Sequence, residues 1–253
     1  MILLCIIFGN KYFFQKDKIT FLDVGQGDST IIQTYDGYTY VVDTGGTFQT
    51  PLGRNTGTYD VLPYLQKEGI SKIDGLFITH MDKDHCLGAI ELFDQIEIGG
   101  IYISNYAFEK TPLSETFFKN ANKYHIPIYT IETGENAQLG QNMFLEVIYP
   151  YEKMIFFDAD DNHGSLVLHI TSGNTSFLLT GDAGAIDEKI ILDHQSDDIK
   201  STILKVGHHG SKYSTTKSFL EAIQPEIAIL SYGKDNVYGH PHTETIQRLE
   251  EQN

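Results

Sequence analysis

The hydrophobic pattern of the first third of the chain predicts β-structure. Short runs rich in β-branched and aromatic residues are separated by turns that contain Gly and Asp, which is typical of strands. These predicted strands are "KITFLDV", "STIIQTYDG" and "YTYVVDTGG". The run "YDVLPYLQKEG" then predicts a helix that ends at Gly69, and "IDGLFITH" predicts a buried strand.

Helices and strands alternate from there on, and the plan then repeats. "LGAIELFDQ" and "SETFFKNANKYH" predict helices, whereas "GGIYIS" and "IPIYTI" predict strands. A second block begins near "MFLEVIYP" and continues with a predicted hairpin, "SLVLHITSGNTSFLLTGD". A helix over 185–194 follows, and then strand, helix, strand and helix in "TILKVG", "TKSFLEAIQ", "EIAILSYG" and "TETIQRLEEQ". Antiparallel strands followed by alternating elements, twice over, predict one α/β domain built as a four-layer α/β-β/α sandwich.

Composition and charge narrow the function classes. The 253 residues carry a formal net charge of −16, which argues against nucleic-acid binding through a broad basic face. Bound divalent cations could reverse the sign locally. The chain has only two cysteines, so it contains no disulfide framework. Cys86 follows His85 among hard carboxylates, and we interpret it as a buried packing residue rather than a metal ligand.

The N-terminal segment 1–18 is apolar but too short to cross a bilayer by itself. A membrane-spanning helix needs roughly 20 apolar residues, and "MILLCIIFGNKYFF" falls short of that. The segment is either a buried first strand or the tail of a membrane helix. We therefore divide the chain into this segment and one domain over 19–253.

Metal-ligand side chains gather where predicted strands end. His80, Asp82, Asp84 and His85 lie within six positions after a buried strand, and Asp182 ends "FLLTGD". Residues i and i+2 leaving a strand point the same way, so His80 and Asp82 can hold one ion. Asp84 and His85 can face a second ion about 3.5–4 Å away, with Asp182 as the bridge.

These motifs resemble the metallo-β-lactamase fold. "ITHMDKDH" resembles its H-x-H-x-D-H signature, with Asp82 in place of the second histidine. More narrowly, the order of the motifs is similar to that in the C-terminal hydrolase domain of ComEC-type competence (DNA-uptake) proteins and their free-standing relatives. The motifs are "FLDVGQGDS", "VVDTGG", "THMDKDHCLGA", "NHGSLVLHI", "LLTGD", "LKVGHHGSK" and "YGHPH".

The resemblance implies a binuclear metal hydrolase and assigns roles to individual positions. His80 and Asp82 match the ligands of one ion, Asp84 and His85 those of the other, and Asp182 the bridge. Of His208 and His240, one completes the second ion's shell and the other faces substrate, and the sequence leaves open which. Asp43 and Asp23 match acids outside the ligand shell, and Asn162 stands where the fold has a third histidine. Such an oxygen-rich set favours Mn²⁺ alongside Zn²⁺.

The resemblance also implies chemistry and context. Asp84, His208 and His209 are the candidate catalytic residues, and Ser211 and Lys212 could hold a substrate phosphate. The other five histidines we interpret as structural. Three functions compete: a phosphodiesterase or nuclease acting on single-stranded DNA, a hydrolase of small phosphoesters or other esters, and a non-catalytic interaction module. A ComEC-type protein implies a bacterial, membrane-associated or extracytoplasmic location, with a membrane-embedded partner or a missing membrane domain, and a C-terminal truncation. A free-standing relative implies the cytoplasm. The substrate, the metal and the oligomeric state stay open.

Overall fold

The first half of the chain forms a mixed six-stranded sheet. The computed structural model describes residues 16–46, 55–104, 110–151, 161–194 and 199–252. The strands of the first sheet, in spatial order, are β1 (Lys18–Phe21), β2 (Thr30–Gln33), β3 (Thr39–Val42), β5 (Gly75–Ile78), β7 (Ile101–Ser104) and β8 (Ile128–Ile131). The first three pair antiparallel, and the pairs from β3 to β8 are parallel. The short strands β4 (Lys72–Ile73) and β6 (Glu97–Ile98) form a separate parallel pair.

The second half repeats this plan. Its sheet contains, in spatial order, β14 (Ile227–Ile229), β13 (Ile203–Lys205), β12 (Thr175–Leu179), β11 (Val167–Ser172), β10 (Met143–Tyr149) and β9 (Asn136–Gly140). Strands β9 to β12 pair antiparallel, and β12, β13 and β14 are parallel. The predicted order of antiparallel strands followed by alternating elements is therefore confirmed in both halves.

Six α-helices connect and cover the sheets in the described residues. They are α1 (Leu62–Lys67), α2 (Lys83–Leu92), α3 (Pro112–Lys123), α4 (Ala185–His194), α5 (Lys217–Ile223) and α6 (Thr243–Glu251). Local sequence explains some starts: Thr111 caps α3 in a reciprocal pair with Ser114, and Thr216 caps α5. None of the helices within the described ranges is long and apolar enough to cross a bilayer.

Three apolar layers hold the fold together. Alternate residues of one strand serve different layers, because successive side chains point to opposite faces of a sheet. Val42 packs between the two sheets with Phe77 and Leu168, whereas the adjacent Val41 packs against the helices of the first half. Leu178 packs under the helices of the second half. The predicted four-layer α/β-β/α sandwich is confirmed.

Individual elements show where the sequence predictions succeeded and where they failed. The helix over 185–194 has the predicted bounds. Strand β9 was not predicted, since "NAQLG" lacks the β-branched residues that mark the other strands. Cys86 is fully buried and its thiol donates a hydrogen bond to the Met81 carbonyl, which confirms the packing interpretation. The apolar N-terminal run up to residue 15 lies outside the described residues.

Candidate metal centre

The predicted ligands meet at the carboxyl ends of the central strands. Asp43 follows β3, His80 lies two residues beyond β5, and Asp182 comes three residues after β12. His208 and His209 follow β13 in a 3₁₀ turn at Gly207–Gly210. Strand ends are where a rigid scaffold can present side chains on loops without breaking the ladder of hydrogen bonds.

Asp43 orients His85. The His85 Nδ1 atom lies 2.8 Å from Asp43 Oδ2, which leaves Nε2 facing the site. Asp43 also accepts hydrogen bonds from the backbone N–H and the hydroxyl of Thr79, at 2.8 and 2.7 Å. Both residues are buried. A carboxylate on one ring nitrogen fixes the tautomer and raises the basicity of the other, as in histidines that bind metals.

His209 is oriented in a comparable way. Its Nδ1 lies 3.0 Å from the Ser231 carbonyl oxygen, and its Nε2 lies 3.3 Å from Asp84 Oδ2. His208 and His209 both have positive φ angles, of 47° and 54°. This left-handed conformation is uncommon for residues with a side chain, and it turns the two adjacent rings to different places. The His209 ring is buried, whereas the His208 ring is 31% exposed.

Asp84, His85, Asp182 and His209 lie side by side, and we call them the His/Asp cluster. His209 Nε2 lies 3.3 Å from Asp84 Oδ2 and 3.6 Å from Asp182 Oδ2. The Nε2 atoms of His85 and His209 are 3.3 Å apart, and Asp182 Oδ1 lies 3.2 Å from His85 Nε2. Ligand atoms about 2.0–2.2 Å from one tetrahedral ion are separated by roughly 3.3–3.6 Å. The spacing in the cluster therefore suits donors that share a cation.

The contacts of His80 and Asp182 also fit a bound cation. His80 Nε2 lies 3.8 Å from Asp182 Oδ2 and 3.8 Å from Asp82 Oδ2. His80 Nε2 and Asp182 Oδ1 are buried without a hydrogen-bond partner among the described residues. Unsatisfied buried polar atoms are costly, and a bound cation would satisfy both. Nitrogen and carboxylate donors suit Zn²⁺, Mn²⁺ and related ions.

The electrostatics of the site match a place for cations. Burial works against a charged His209, but Asp182 and Asp28 outweigh it and raise the pKa of His209 to about 10. Burial likewise opposes a charged His85, yet Asp182 and Asp43 raise its pKa well above the ordinary value. Burial and the neighbouring His85 lower the pKa of His80 to about 3. The carboxylates thus favour positive charge in the cluster, and cations that bind there displace protons.

Asp28 and Lys205 are two site residues that the sequence analysis missed. Lys205 Nζ lies 2.8 Å from Asp28 Oδ2, and both side chains are buried. Asp28 Oδ1 lies 3.4 Å from His209 Nδ1. Asp28 also belongs to a group with His85, Asp182 and His209 whose potential ligand atoms lie within 4.8 Å of one another and could hold a metal ion. Since Asp28 meets the Nδ1 edge of His209, opposite Nε2, we interpret it as orienting that ring.

A signal for this pair existed in the sequence. Lys205 lies within the apolar run "TILKV", and a lysine inside a buried strand needs a buried partner. In "FLDVGQGDS" the side chain brought beside the cluster is Asp28, whereas Asp23 is exposed and accepts a hydrogen bond from the Gly25 N–H. Spacing alone does not reveal which aspartate of a turn points inward.

Other predicted ligands lie at the rim of the cluster. Asp82 directly precedes α2 and has a half-exposed side chain. His208 Nε2 lies 3.7 Å from Asp182 Oδ2. The His240 ring is partly buried, with its centroid 5.5 Å from that of His208 and 6.2 Å from that of His209. Burial, followed by His208 and His209, lowers the pKa of His240 to about 4. All three residues lie on the solvent side of Asp182 and the cluster. They could reach a cation held there only from that side.

The remaining predicted residues occupy supporting positions. Asn162 lies in the 3₁₀ turn Asp161–Gly164, and its carbonyl accepts from the N–H of Ser165, whose hydroxyl accepts from the Asp182 N–H. Ser211 is buried, and its hydroxyl accepts from the Tyr213 N–H. Lys212 is exposed, with Nζ 5.2 Å from the centre of the Tyr213 ring.

A model of the family described as the metallo-beta-lactamase superfamily matches residues 22–234. The chain belongs to the metallo-β-lactamase superfamily. The curated relatives include ComE operon protein 3 of Bacillus subtilis (strain 168), 32% identical over 93% of this chain and 31% of that protein. They also include Recombination protein 2 of Haemophilus influenzae, 32% identical over 98% of this chain and 29% of that protein. The chain spans about a third of the length of these relatives.

Two solved structures show the same fold. The metallo-β-lactamase fold protein YhfI from Bacillus subtilis superposes with a TM-score of 0.57 at 12% identity, over 93% of each chain. CmlA, a diiron beta-hydroxylase from Streptomyces venezuelae, superposes with a TM-score of 0.56 at 13% identity, over 94% of this chain and 50% of that chain. At such identities the likeness concerns the fold. The resemblance drawn from the motifs, both to the superfamily and to competence proteins, is confirmed.

Proposed function

We propose that this metallo-β-lactamase-superfamily chain is a binuclear metal-dependent phosphodiesterase that cleaves nucleic-acid strands. The observation that carries the proposal is the position of Asp182. Its Oδ1 lies 3.2 Å from His85 Nε2, and its Oδ2 lies 3.8 Å from His80 Nε2. His208 and His209 also approach Oδ2, at 3.7 and 3.6 Å. One carboxylate thus stands between two sets of donors, as a bridge between two ions requires.

The two sets differ in their surroundings. Asp84, His85 and His209 form the inner set, whose imidazoles are oriented by Asp43 and by the Ser231 carbonyl. His80 and Asp82 form the outer set, in which Asp82 is half-exposed. The outer ion would therefore be the one that meets solvent and substrate.

The chain's own residues supply the remaining steps. When bound, divalent cations supply Lewis acidity and bring the pKa of water towards neutrality. His208 holds its Nε2 at the open side of Asp182 and is placed to give a proton to a leaving oxygen. His209, which the sequence made an equal candidate for that role, is buried within the cluster and serves as a ligand.

The relatives support a nucleic-acid substrate. Recombination protein 2 is named for recombination, and a third relative, Competence protein ComA of Neisseria gonorrhoeae, is named for competence. The matches cover most of this chain at about 30% identity. Single-stranded DNA is the substrate we propose, with a membrane-embedded domain or partner that delivers it. The second candidate, a hydrolase of small phosphoesters, is favoured by the net charge of −16, which repels a polyanion.

The test compares two substrates with Mn²⁺ and Zn²⁺ supplied in turn. Wild type should hydrolyse bis-(p-nitrophenyl) phosphate and a single-stranded oligonucleotide, and Asp182→Asn should lose both activities. Asp193→Asn, an exposed change in α4, is the matched control and should leave both intact. Hydrolysis of the small ester alone would favour the second candidate. Hydrolysis of neither by metal-loaded wild type would leave the non-catalytic module as the better description.

A further inference from the structure

Exposed rings line one side of the candidate metal centre. Tyr238 is 53% exposed and Tyr213 is 70% exposed. The Tyr238 ring stacks on the His240 ring, with centroids 5.6 Å apart and planes 21° from parallel. Tyr238 lies beside the candidate metal centre, because the His240 ring on which it stacks adjoins those of His208 and His209.

The rings of Tyr238, His240 and His242 form a row that Lys212 connects to Tyr213, and we call these five residues the ring row. The His240 and His242 centroids are 5.0 Å apart. His242 Nδ1 accepts a hydrogen bond from the Lys212 N–H at 3.3 Å. Lys212 Nζ in turn lies 5.2 Å from the centre of the Tyr213 ring. The row begins beside the His/Asp cluster, since the His240 ring adjoins those of His208 and His209.

The backbone around Tyr238 is held in place. Asn236 accepts hydrogen bonds from the N–H groups of Tyr238 and His240, at 3.1 and 2.9 Å. The Asn236 side-chain amide also donates to the Gly233 and His240 carbonyls at 2.7 Å. A ring on such a braced loop loses little conformational entropy when a ligand stacks on it.

We propose that Tyr238 is a stacking platform for an unpaired base of the nucleic-acid strand, next to the phosphate held at the metal centre. The inference rests on the proposed phosphodiesterase function and deepens it by naming what the site recognises besides phosphate. One face of the Tyr238 ring is covered by His240, and a planar heterocycle can cover the other. Lys212 supplies a positive charge along the row for a further phosphate. Because every base has a π-face, such a platform tolerates any sequence but excludes a paired duplex.

The expected loss of affinity follows from the energetics of base stacking. Base–aromatic stacking contributes about 1–3 kcal/mol per base, or roughly 5- to 150-fold in affinity. Tyr238→Ala should therefore weaken binding of single-stranded dT12 at least fivefold. Tyr238→Phe keeps the ring and should bind within twofold of wild type. Tyr38→Ala is the matched control, because Tyr38 is similarly exposed but precedes β3, at the end opposite Asp43.

The probes are three labelled oligonucleotides: dT12, a 12-mer of the same charge with abasic sites throughout, and a 12-base-pair duplex. Binding to metal-loaded protein is measured by fluorescence anisotropy at low temperature, with intact probe verified on a gel. The Tyr238→Ala loss should appear with dT12 and vanish with the abasic strand and the duplex. An equal loss with all three probes, or no loss with dT12, would overturn the stacking proposal.

The same measurements separate this proposal from the proposed function. Hydrolysis of dT12 by Tyr238→Ala with an unchanged KM would refute stacking while phosphodiesterase activity stands. A Tyr238-dependent preference for dT12 over the abasic strand, in a protein that hydrolyses neither, would support stacking and refute the phosphodiesterase.

Discussion

Asp43→Asn is the change that best isolates the orientation of His85, a candidate metal ligand. Asp43 receives three hydrogen bonds, two from Thr79 and one at His85 Nδ1, and it has a φ of 57°. Asparagine has the same shape and is among the residues that tolerate this left-handed conformation. The fold should therefore survive, and the effect should fall on the chemistry of His85.

The amide cannot satisfy all three partners. If its oxygen stays with the Thr79 N–H, its NH₂ group meets His85 Nδ1 and donates to it. The ring proton then moves to Nε2, the atom that faces Asp182 and His209. If the amide flips, its NH₂ opposes the Thr79 N–H, at a cost of about 1–3 kcal/mol. The first arrangement blocks the ligand atom, and the second destabilises the strand end that carries it.

Loss of such an orienting partner typically lowers metal affinity by about 10- to 100-fold, which corresponds to about 1.4–2.8 kcal/mol. Competition with a chromophoric chelator for Zn²⁺ or Mn²⁺ measures this directly. Asp23→Asn is the matched control, since Asp23 is exposed and caps the turn at Gly25. The metal affinity of this variant should stay within twofold of wild type. Affinity within twofold of wild type in Asp43→Asn would refute the orienting role.

Three further outcomes follow from buried groups. Lys205→Met leaves the Asp28 carboxylate buried without its cation, so the free energy of unfolding should fall by about 3–5 kcal/mol in urea titrations, and an unchanged midpoint would contradict the pairing. Burial raises the pKa of Glu188, although its carboxylate accepts hydrogen bonds from the N–H groups of Thr215 and Thr216. The folded state therefore keeps the Glu188 proton to higher pH than the unfolded chain does. Stability from this group is complete below the ordinary pKa of about 4.3 and is lost as pH rises through the raised value, and Glu188→Gln should flatten that fall in denaturation curves taken between about pH 4 and 7. Burial also raises the pKa of the Cys86 thiol, so peptide mass mapping should find it alkylated by iodoacetamide only after unfolding, and rapid labelling of native protein would contradict its place in the core.

The layered fold could be predicted because its pattern is local and repeated. Strands such as "YTYVVD" and "SFLLTGD" carry apolar residues on both faces and end on an acid, which marks them as buried strands that lead into a site. The candidate ligands of "HMDKDH" could be predicted because their spacing places them together. Strand β9 was missed because its place is decided by pairing with β10 and not by the propensity of its own residues.

The contacts within the site depend on geometry that the sequence does not encode at short range. The left-handed turn of His208 and His209 decides which of two adjacent rings is buried, and no local pattern distinguishes them. Asp28 and Lys205 meet across 177 positions of the chain, from the β1–β2 turn to β13. The Tyr238 ring is set on His240 by hydrogen bonds to Asn236 within a loop that lacks regular structure.

Metal stoichiometry tests most directly the proposal that Asp182 bridges two ions. Purified protein is stripped with chelator, dialysed against Mn²⁺ or Zn²⁺, and analysed by inductively coupled plasma mass spectrometry against protein concentration. We predict saturation at about two ions per chain, and a concerted loss of both in Asp182→Asn, because its oxygens face both sets of donors. Saturation of wild type at one ion, or loss of a single ion in Asp182→Asn, would contradict the bridged centre.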